Sequence, residues 1–398
     1  MNKNIRELYT IANKQERLII GLMSGTSLDG LDIALCRVSG NGTSTKIQVV
    51  NFETIAYNDD FKTEVRSVFS KKKVDLEKLC LLNAWIGSQH ASLIRTVLKK
   101  WNIAAEEVDI IASHGQTIYH APKSLHQQNK FPNATLQIGD GDHIAVNTGI
   151  ITISDFRQKH IAAGGEGAPL AMYGDHILFS NEGENRIMLN IGGIGNFTYL
   201  PANQSFNEIV CTDTGPGNTL MDIYVQKFFP DKYFDEDAAL AKQGNLNTAL
   251  LKALQDNKFF ALPFPKTTGP ELFNFEYIES AIQKAETPHL SHYDILATLN
   301  YFTAETISNA IKSVCSTINQ TSVFVSGGGA HNTLLIDNLY NTLPGIVIKD
   351  MKELNINPDA KEAVLFAVLA NECLCGKGLN RKDSNIPYIT MGKISFPW

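Results

Sequence analysis

The sequence lacks any apolar run long enough to cross a bilayer. Its first strongly apolar stretch, Leu18 to Met23, is short and already interrupted by Gly21. Excess positive charge is missing too: 35 Lys and Arg stand against 41 Asp and Glu, a formal net charge of −6. With no basic stripe, neither nucleic acid nor an anionic membrane is an expected partner. Cysteine is sparse and scattered (Cys36, Cys80, Cys211, Cys315, Cys373, Cys375), and only the last two are close, as C-x-C. That spacing supports neither a disulfide framework nor a C-x-x-C metal site, so buried, reduced thiols are expected. No G-x-x-x-x-G-K-[ST] or G-x-G-x-x-G string occurs, which counts against P-loop and dinucleotide-binding folds. Between Met1 and Arg17, the charges of Lys3, Arg6, Glu7, Lys14 and Glu16 leave no apolar segment of signal-peptide type, and a cytoplasmic, soluble protein is expected.

What is present suffices for two domains: 398 residues, 43% of them hydrophobic. Leu18–Met23 and Leu31–Cys36 flank Ser24-Gly-Thr-Ser-Leu-Asp-Gly30, a predicted β-hairpin with a polar tip. Leu79, Leu82, Ile86, Leu93 and Val97 recur at helical spacing within Asp75–Trp101. Val108–Ala112 reads as a buried strand running into Ser113-His-Gly-Gln-Thr117. After the polar, linker-like stretch Ser180–Asn185 the pattern restarts. Ile187–Ile191 and Phe197–Leu200 flank Gly192-Gly-Ile-Gly-Asn196, and a helix from about Asp294 to Ser316 precedes the strand Val323–Val325. That strand breaks into Ser326-Gly-Gly-Gly-Ala-His-Asn332, with a helix from Thr333. Each half offers a hairpin with a glycine-rich tip, helical matter and a strand ending in a glycine or His-Gly loop, the outline of a duplicated α/β unit.

Glycine-rich turns at strand ends present backbone N–H groups to anionic oxygens. The first tip adds the hydroxyls of Ser24, Thr26 and Ser27 and the carboxylate of Asp29, which can hold Mg²⁺ directly or through water. The same residues also suit a plain turn. Gly327, Gly328 and Gly329 let a nucleobase or ribose approach the chain, or make a tight strand-to-helix turn. Asp213, followed by Thr-Gly-Pro-Gly, is a carboxylate on a stiff turn, suited to act as a general base or to cap the next helix. Asp155-Phe-Arg157, His160 and Gly164-Gly-Glu-Gly-Ala-Pro169 concentrate charge and glycine as a polar pocket wall would. His114, His120 and His331 read as hydrogen-bonding loop residues, and no His/Cys/Asp cluster has metal-ligand spacing.

Eight strings recur in a familiar order: Gly21–Asp32 (GLMSGTSLDGLD), Ser113–Thr117 (SHGQT), Leu136–Gly141 (LQIGDG), Ser154–Arg157 (SDFR), Ala162–Leu170 (AAGGEGAPL), Asn190–Asn196 (NIGGIGN), Asp213–Asp222 (DTGPGNTLMD) and Gly327–Asn332 (GGGAHN). Over residues 17–375 the chain resembles the anhydro-N-acetylmuramic acid kinases of bacterial peptidoglycan recycling. The resemblance implies an α/β fold of two ribonuclease H-like, actin/hexokinase-type domains around an ATP cleft. Residues 17–182 would carry the first phosphate hairpin and the sugar motifs. Residues 183–398 would carry the second hairpin, the catalytic Asp and the adenosine loop, with the C-terminal helix free to pack back on the first domain. Ser24, Gly25, Thr26, Ser27, Asp29, Gly30 and Asp32, with Gly192, Gly193 and Asn196, would hold phosphates, and Asp29 would face Mg²⁺. Gly327, Gly328, Gly329 and Asn332 would sit against the adenosine, and Asp213 would be the catalytic base. Gln116, Thr117, Asp155, Arg157, Lys159, His160 and Glu166 would contact the sugar, as would Glu362, in the place of a family sugar-site glutamate.

The family's reaction consumes ATP with Mg²⁺. Water opens the internal bridge of 1,6-anhydro-N-acetylmuramic acid while O6 takes the γ-phosphoryl group; a homodimer is expected. The sequence departs from the family pattern where His160 replaces an Asp, where Glu166 replaces a Gln, and at Ala171–His176, where many members have a Pro/His-containing string. Two other readings stand beside this one. In an ordinary sugar kinase of the same fold, Asp213 would deprotonate a substrate hydroxyl. A third reading is an actin-like filament former or sugar-sensing regulator: no helix-turn-helix fits ahead of the first strand, which disfavours a regulator, and Asp213 with the polar loops argues for chemistry over polymerisation alone.

Overall fold

The computed structural model describes residues 1–315, 320–354, 356–378 and 388–398. The strands are β1 (Glu16–Ser24), β2 (Gly30–Ser39), β3 (Lys46–Ala56), β4 (Ile110–Ala121), β5 (Ala134–Ile138), β6 (Thr152–Ser154), β7 (Asn185–Ile191), β8 (Ile194–Leu200), β9 (Val210–Pro216), β10 (Thr321–Ser326), β11 (Val347–Asp350) and β12 (Lys393–Ser395). The helices are α1 (Lys3–Ala12), α2 (Asp59–Arg66), α3 (Leu76–Trp101), α4 (Lys123–His126), α5 (Gly141–Thr148), α6 (Phe156–Ala162), α7 (Ala171–Phe179), α8 (Thr219–Phe228), α9 (Thr248–Gln255), α10 (Phe275–Lys284), α11 (His292–Val314), α12 (Thr333–Thr342) and α13 (Lys361–Cys375). The predicted helix over 294–316 thus ends at Val314, and Ser316 lies outside the described residues.

Two compact units form, Met1–Leu178 with Asp359–Trp398, and Phe179–Pro358. The first unit's sheet runs β12-β6-β4-β1-β2-β3, with β5 on β4; the second runs β11-β10-β7-β8-β9. In each, a three-stranded antiparallel meander (β1-β2-β3, β7-β8-β9) is extended from its first strand by two parallel strands (β4 and β6, β10 and β11). The same strand order occurs twice, and it is that of a ribonuclease H-like unit.

The sequence dictates this order locally. β1 and β2 are buried on both faces, hence near-continuous apolar runs rather than alternation. The helix α3 starts where the Asp75 carboxylate accepts from the amides of Glu77 and Lys78, and stops at Asn102 in the left-handed region. Its Leu82, Ile86, Ile94 and Val97 join β1, β2 and β4 in one core. In the second unit, α11 is buried along most of its length and starts at the cap Ser291.

The C-terminal segment belongs to the first unit. The sequence-based range 183–398 placed it with the second domain, the return of its helix being left open; the reason for its position lies in β1. A Cβ added at Gly21 would sit 1.9 Å from the Ala363 carbonyl oxygen, so a bare glycine lets α13 lie directly on the strand. The thiol expectation needs correction. All six cysteines are free, but only Cys36 and Cys315 are buried, and Cys80 is exposed on α3.

Candidate functional site

The β1–β2 hairpin presents its tip as expected, with one unforeseen feature. Leu28 takes a left-handed backbone (φ 59°) while its side chain enters the core. Such strain in a non-glycine residue persists only where the surroundings fix it. Thr26, Ser27 and Asp29 are exposed. Asp29 Oδ1 accepts from Ser27 Oγ (2.7 Å) and the Gly30 amide (3.1 Å). The Ser27 bond, aided by backbone amides and Lys62, holds this carboxyl below its ordinary value. Asp32 lies behind it on β2, accepts from Thr54 Oγ1 (2.6 Å), and is raised by burial, with Asp29 and Asp359 adding. Ser24 is buried and bonded to Tyr57 and Gln116, so its hydroxyl serves the interior rather than a phosphate.

The string Ser113–Thr117 does not form a loop. It lies within β4, which continues to Ala121 because β5 pairs with it. Gln116 is fully buried, and Thr117 Oγ1 accepts from Gln137 Nε2 (3.1 Å). His114 and His120 are therefore strand residues. The His114 ring lies 4.8 Å from that of Phe366, and its Nε2 accepts from Arg157 Nε (3.0 Å). Burial, with Arg157 second, pushes this imidazole down to about 3, so it is neutral.

Arg157, in α6, also donates to the Gly167 carbonyl (2.7 Å). Burial lowers its pKa, which the Glu362 carboxylate opposes. The surrounding protein raises the Glu362 carboxyl and the Asp32 charge adds, although the side chain opens to solvent. Asp155 is left-handed (φ 54°), and its carboxylate accepts from Lys393 Nζ (2.5 Å). It lines a polar cavity of about 360 Å³ with Asn83, Asp140 and Ser395, and Arg157 is not part of that wall. His160 is buried, accepts from the Gly167 amide at Nδ1 (2.9 Å), and is pushed down to about 4 by burial. It is a strut of the 164–169 loop, and a Cβ at Gly165 would meet its ring at 2.2 Å. Lys159 and Glu166 are exposed. Asp175, within the departing string Ala171–His176, is buried and paired with Lys361 (2.8 Å), the neighbour of Glu362.

In the second unit, strand register aligns four polar residues in one row: Ser326 opposite Asn190, Asn190 opposite Asn196, Asn196 opposite Asp213. Directly paired residues share a face, so Asn196 and Asp213 are neighbours. Asp213 stands on β9 rather than on the turn expected from the sequence, because β9 runs on to Pro216 before α8 begins. Its amide donates to the Lys266 carbonyl (3.0 Å), and its Oδ2 accepts from the Thr268 amide (2.8 Å). Burial raises its pKa, the Thr268 bond opposes, and Glu271 adds.

Gly192 and Gly193 form the two-residue β7–β8 turn, and their carbonyls accept from the amides of Gly217, Asn218 and Thr219 (2.8–3.1 Å). Gly327 has φ +82°, and a Cβ there would strike the Ile191 carbonyl at 2.7 Å; Gly328 and Gly329 follow. A cavity of about 490 Å³ opens here, lined by Asn218, Asp222, Tyr233, Phe234, Gly328 and Asn332. Asn332 is mainly structural: its Oδ1 caps α12 through Leu335 and accepts from Asn300.

The family described as anhydro-N-acetylmuramic acid kinase matches residues 17–393. The chain belongs to that family. The anhydro-N-acetylmuramic acid kinase of Pseudoalteromonas atlantica is 55% identical over the full length of both chains, and that of Pseudoalteromonas translucida is also 55% identical over both full lengths. The Caldanaerobacter subterraneus enzyme of the same name is 38% identical, covering 98% of this chain and 99% of its own.

Family strings mark where these sites lie, yet several residues that shape them carry no such signal. Tyr57 and His90 sit behind the first hairpin. Lys266 is buried, donates from Nζ to the Phe259 and Phe260 carbonyls (3.1 and 3.3 Å), and stands over the Phe259 and Phe264 rings. Asp222, the last residue of the string Asp213–Asp222, is by contrast marked by the sequence, and burial pushes it up to about 6. Tyr233 and Phe234 are 79% and 58% exposed at the rim of the larger cavity. A hint lay in the Phe-rich run 259–264 leading to a single lysine. Among the described residues no group of three or more His, Cys, Asp or Glu side chains could hold a metal, and no helix is long and apolar enough to cross a membrane.

Proposed function

We propose that this family member is an ATP-dependent kinase that opens 1,6-anhydro-N-acetylmuramic acid with water and phosphorylates O6, yielding N-acetylmuramic acid 6-phosphate and ADP. The observation that carries the chemistry is Asp213, a carboxylate raised by burial, oriented by the Thr268 amide and beside Asn196. A raised carboxylate is a better proton acceptor for water, and a fixed N–H keeps one oxygen from turning away. Asp213 takes a proton from water as the oxygen attacks the anomeric carbon. The C1–O6 bond breaks with its electron pair on O6, which forms the new bond to the γ-phosphorus while the bond to ADP breaks.

The exposed tip residues Thr26, Ser27 and Asp29 and the glycine turn 192–193 are the phosphate-binding elements in this reading, and the cavity at Gly328 takes the nucleoside. Mg²⁺ would neutralise phosphate charge. The lone, low-pKa carboxylate of Asp29 beside the Ser27 hydroxyl suits a cation that keeps water and phosphate as most of its ligands. Arg157 and Glu362 are the charged sugar contacts, with His160 acting through the loop it supports. A cytoplasmic homodimer completes the proposal; light scattering at twice the chain mass checks the dimer.

ADP release measured with 1,6-anhydro-N-acetylmuramic acid, N-acetylmuramic acid and N-acetylglucosamine tests the reading. Turnover with the anhydro sugar alone is expected. Equal or faster turnover with either open sugar would assign an ordinary hydroxyl kinase instead.

A further inference from the structure

Behind the first hairpin lies a chain of buried polar groups whose proton directions can all be deduced. Gln116 Nε2 faces two carbonyls, Gly25 and Thr117 (3.3 Å each), so the amide nitrogen is on that side and Oε1 is an acceptor. Ser24 Oγ lies 2.5 Å from Oε1 and must donate to it. The single Ser24 proton being used, its 2.8 Å contact with Tyr57 Oη requires the tyrosine to donate. The Tyr57 proton is then used too, so the 3.0 Å contact with His90 Nε2 requires the imidazole to donate, which fixes the Nε2–H tautomer. His90 is fully buried, its Nδ1 has no partner, and burial pushes it down to about 4, so it is neutral. Tyr57 also grips the far side of the tip: its amide donates to the Asp29 carbonyl (3.1 Å), and its ring stacks on Phe61 at 3.8 Å.

We propose that His90, Tyr57, Ser24 and Gln116 form a one-way hydrogen-bond relay that holds the Gly25 peptide and thereby presets the hairpin amides for the phosphates of a nucleotide. Each member gives its proton to the next, ending on the Gly25 carbonyl at the base of the tip. Gln116, expected as a sugar contact, is in this assignment a positioning residue that joins the strand of Thr117 to the phosphate hairpin. The relay rests on the reading of that hairpin as a phosphate site.

Calorimetric titration of full-length protein with ADP and Mg²⁺ tests it. Tyr57→Phe, which keeps the ring and removes one donor, is expected to weaken ADP binding roughly three- to thirtyfold, the equivalent of one hydrogen bond. His90→Leu should weaken it similarly, while His90→Gln, whose amide can donate from the position of Nε2, should restore affinity to within about twofold of the parent on the same scale. Wild-type ADP affinity in both Tyr57→Phe and His90→Leu would overturn the relay, as would His90→Gln losing as much as His90→Leu. Should His90→Leu fail to fold, the near-isosteric Tyr57→Phe alone decides. An unsubstituted protein that binds no ADP would overturn the phosphate reading itself, a different outcome from any of these.

Discussion

The main-chain amide of Thr268 donates to Oδ2 of Asp213 at 2.8 Å, across 55 residues of sequence. The adjoining segment is tied down further, by the Asp213 amide and the Thr212 hydroxyl on the Lys266 carbonyl and by the Lys266 amide on Thr212 Oγ1. The proposed base is thus gripped by a stretch of chain that belongs to no helix or strand.

Asp213→Asn keeps an acceptor for the Thr268 amide and removes the proton acceptor. Turnover is expected to fall by about 10²–10⁴-fold with ADP affinity within twofold of the parent. Steady-state kinetics and ADP calorimetry read the two quantities separately.

The raised pKa of Asp213 sets the acid side of the pH profile. The base works only ionised, so kcat/KM should fall as pH drops through a value above the ordinary 3.8. An acid limb at or below 3.8 would contradict the assignment.

Asp222 gives a stability test with a defined window. Its folded carboxyl is raised to about 6 from 3.8, so folding favours the protonated form. The penalty is complete above about pH 6, shrinks as pH falls, and is gone below 3.8. Asp222→Asn should therefore raise the melting temperature at pH 7–8 by about 1–4 °C, with no gain near pH 3.5.

Much of this was legible in the sequence, and the remainder was hidden for physical reasons. The strings Gly21–Asp32, Asn190–Asn196 and Asp213–Asp222 place the two hairpins and the carboxylate, because turn glycines and polar tips leave a local signature. Asp213 reads locally as a turn residue, yet pairing with β8 keeps it in strand. Gln116 and His160 look like ligands in one dimension, whereas long-range packing buries both and points them at protein backbone. That Asp359–Trp398 joins the first unit depends on Gly21 meeting Ala363, a contact no local pattern encodes.

That contact is itself testable. Gly21→Ala places a methyl 1.9 Å from a main-chain oxygen that a helix holds in place. A loss of about 3 kcal/mol or more, or failure to accumulate as folded protein, is expected on thermal unfolding.

Phe234 is exposed at the rim of the 490 Å³ cavity, and in the proposed reading, where that cavity takes the nucleoside, its ring would stack on the nucleobase. Phe234→Ala should weaken ATP binding roughly tenfold while leaving the melting temperature within about 2 °C, as an exposed ring contributes little to folding.

Turnover in ¹⁸O-labelled water, with the product analysed before its anomeric hydroxyl exchanges, tests the central claim most directly. If Asp213 activates water during phosphoryl transfer, the anomeric hydroxyl of the 6-phosphate carries the label and none enters the phosphate. An unlabelled anomeric oxygen, or label in the phosphoryl group, would contradict ring opening by water and return Asp213 to the role of a base for a sugar hydroxyl.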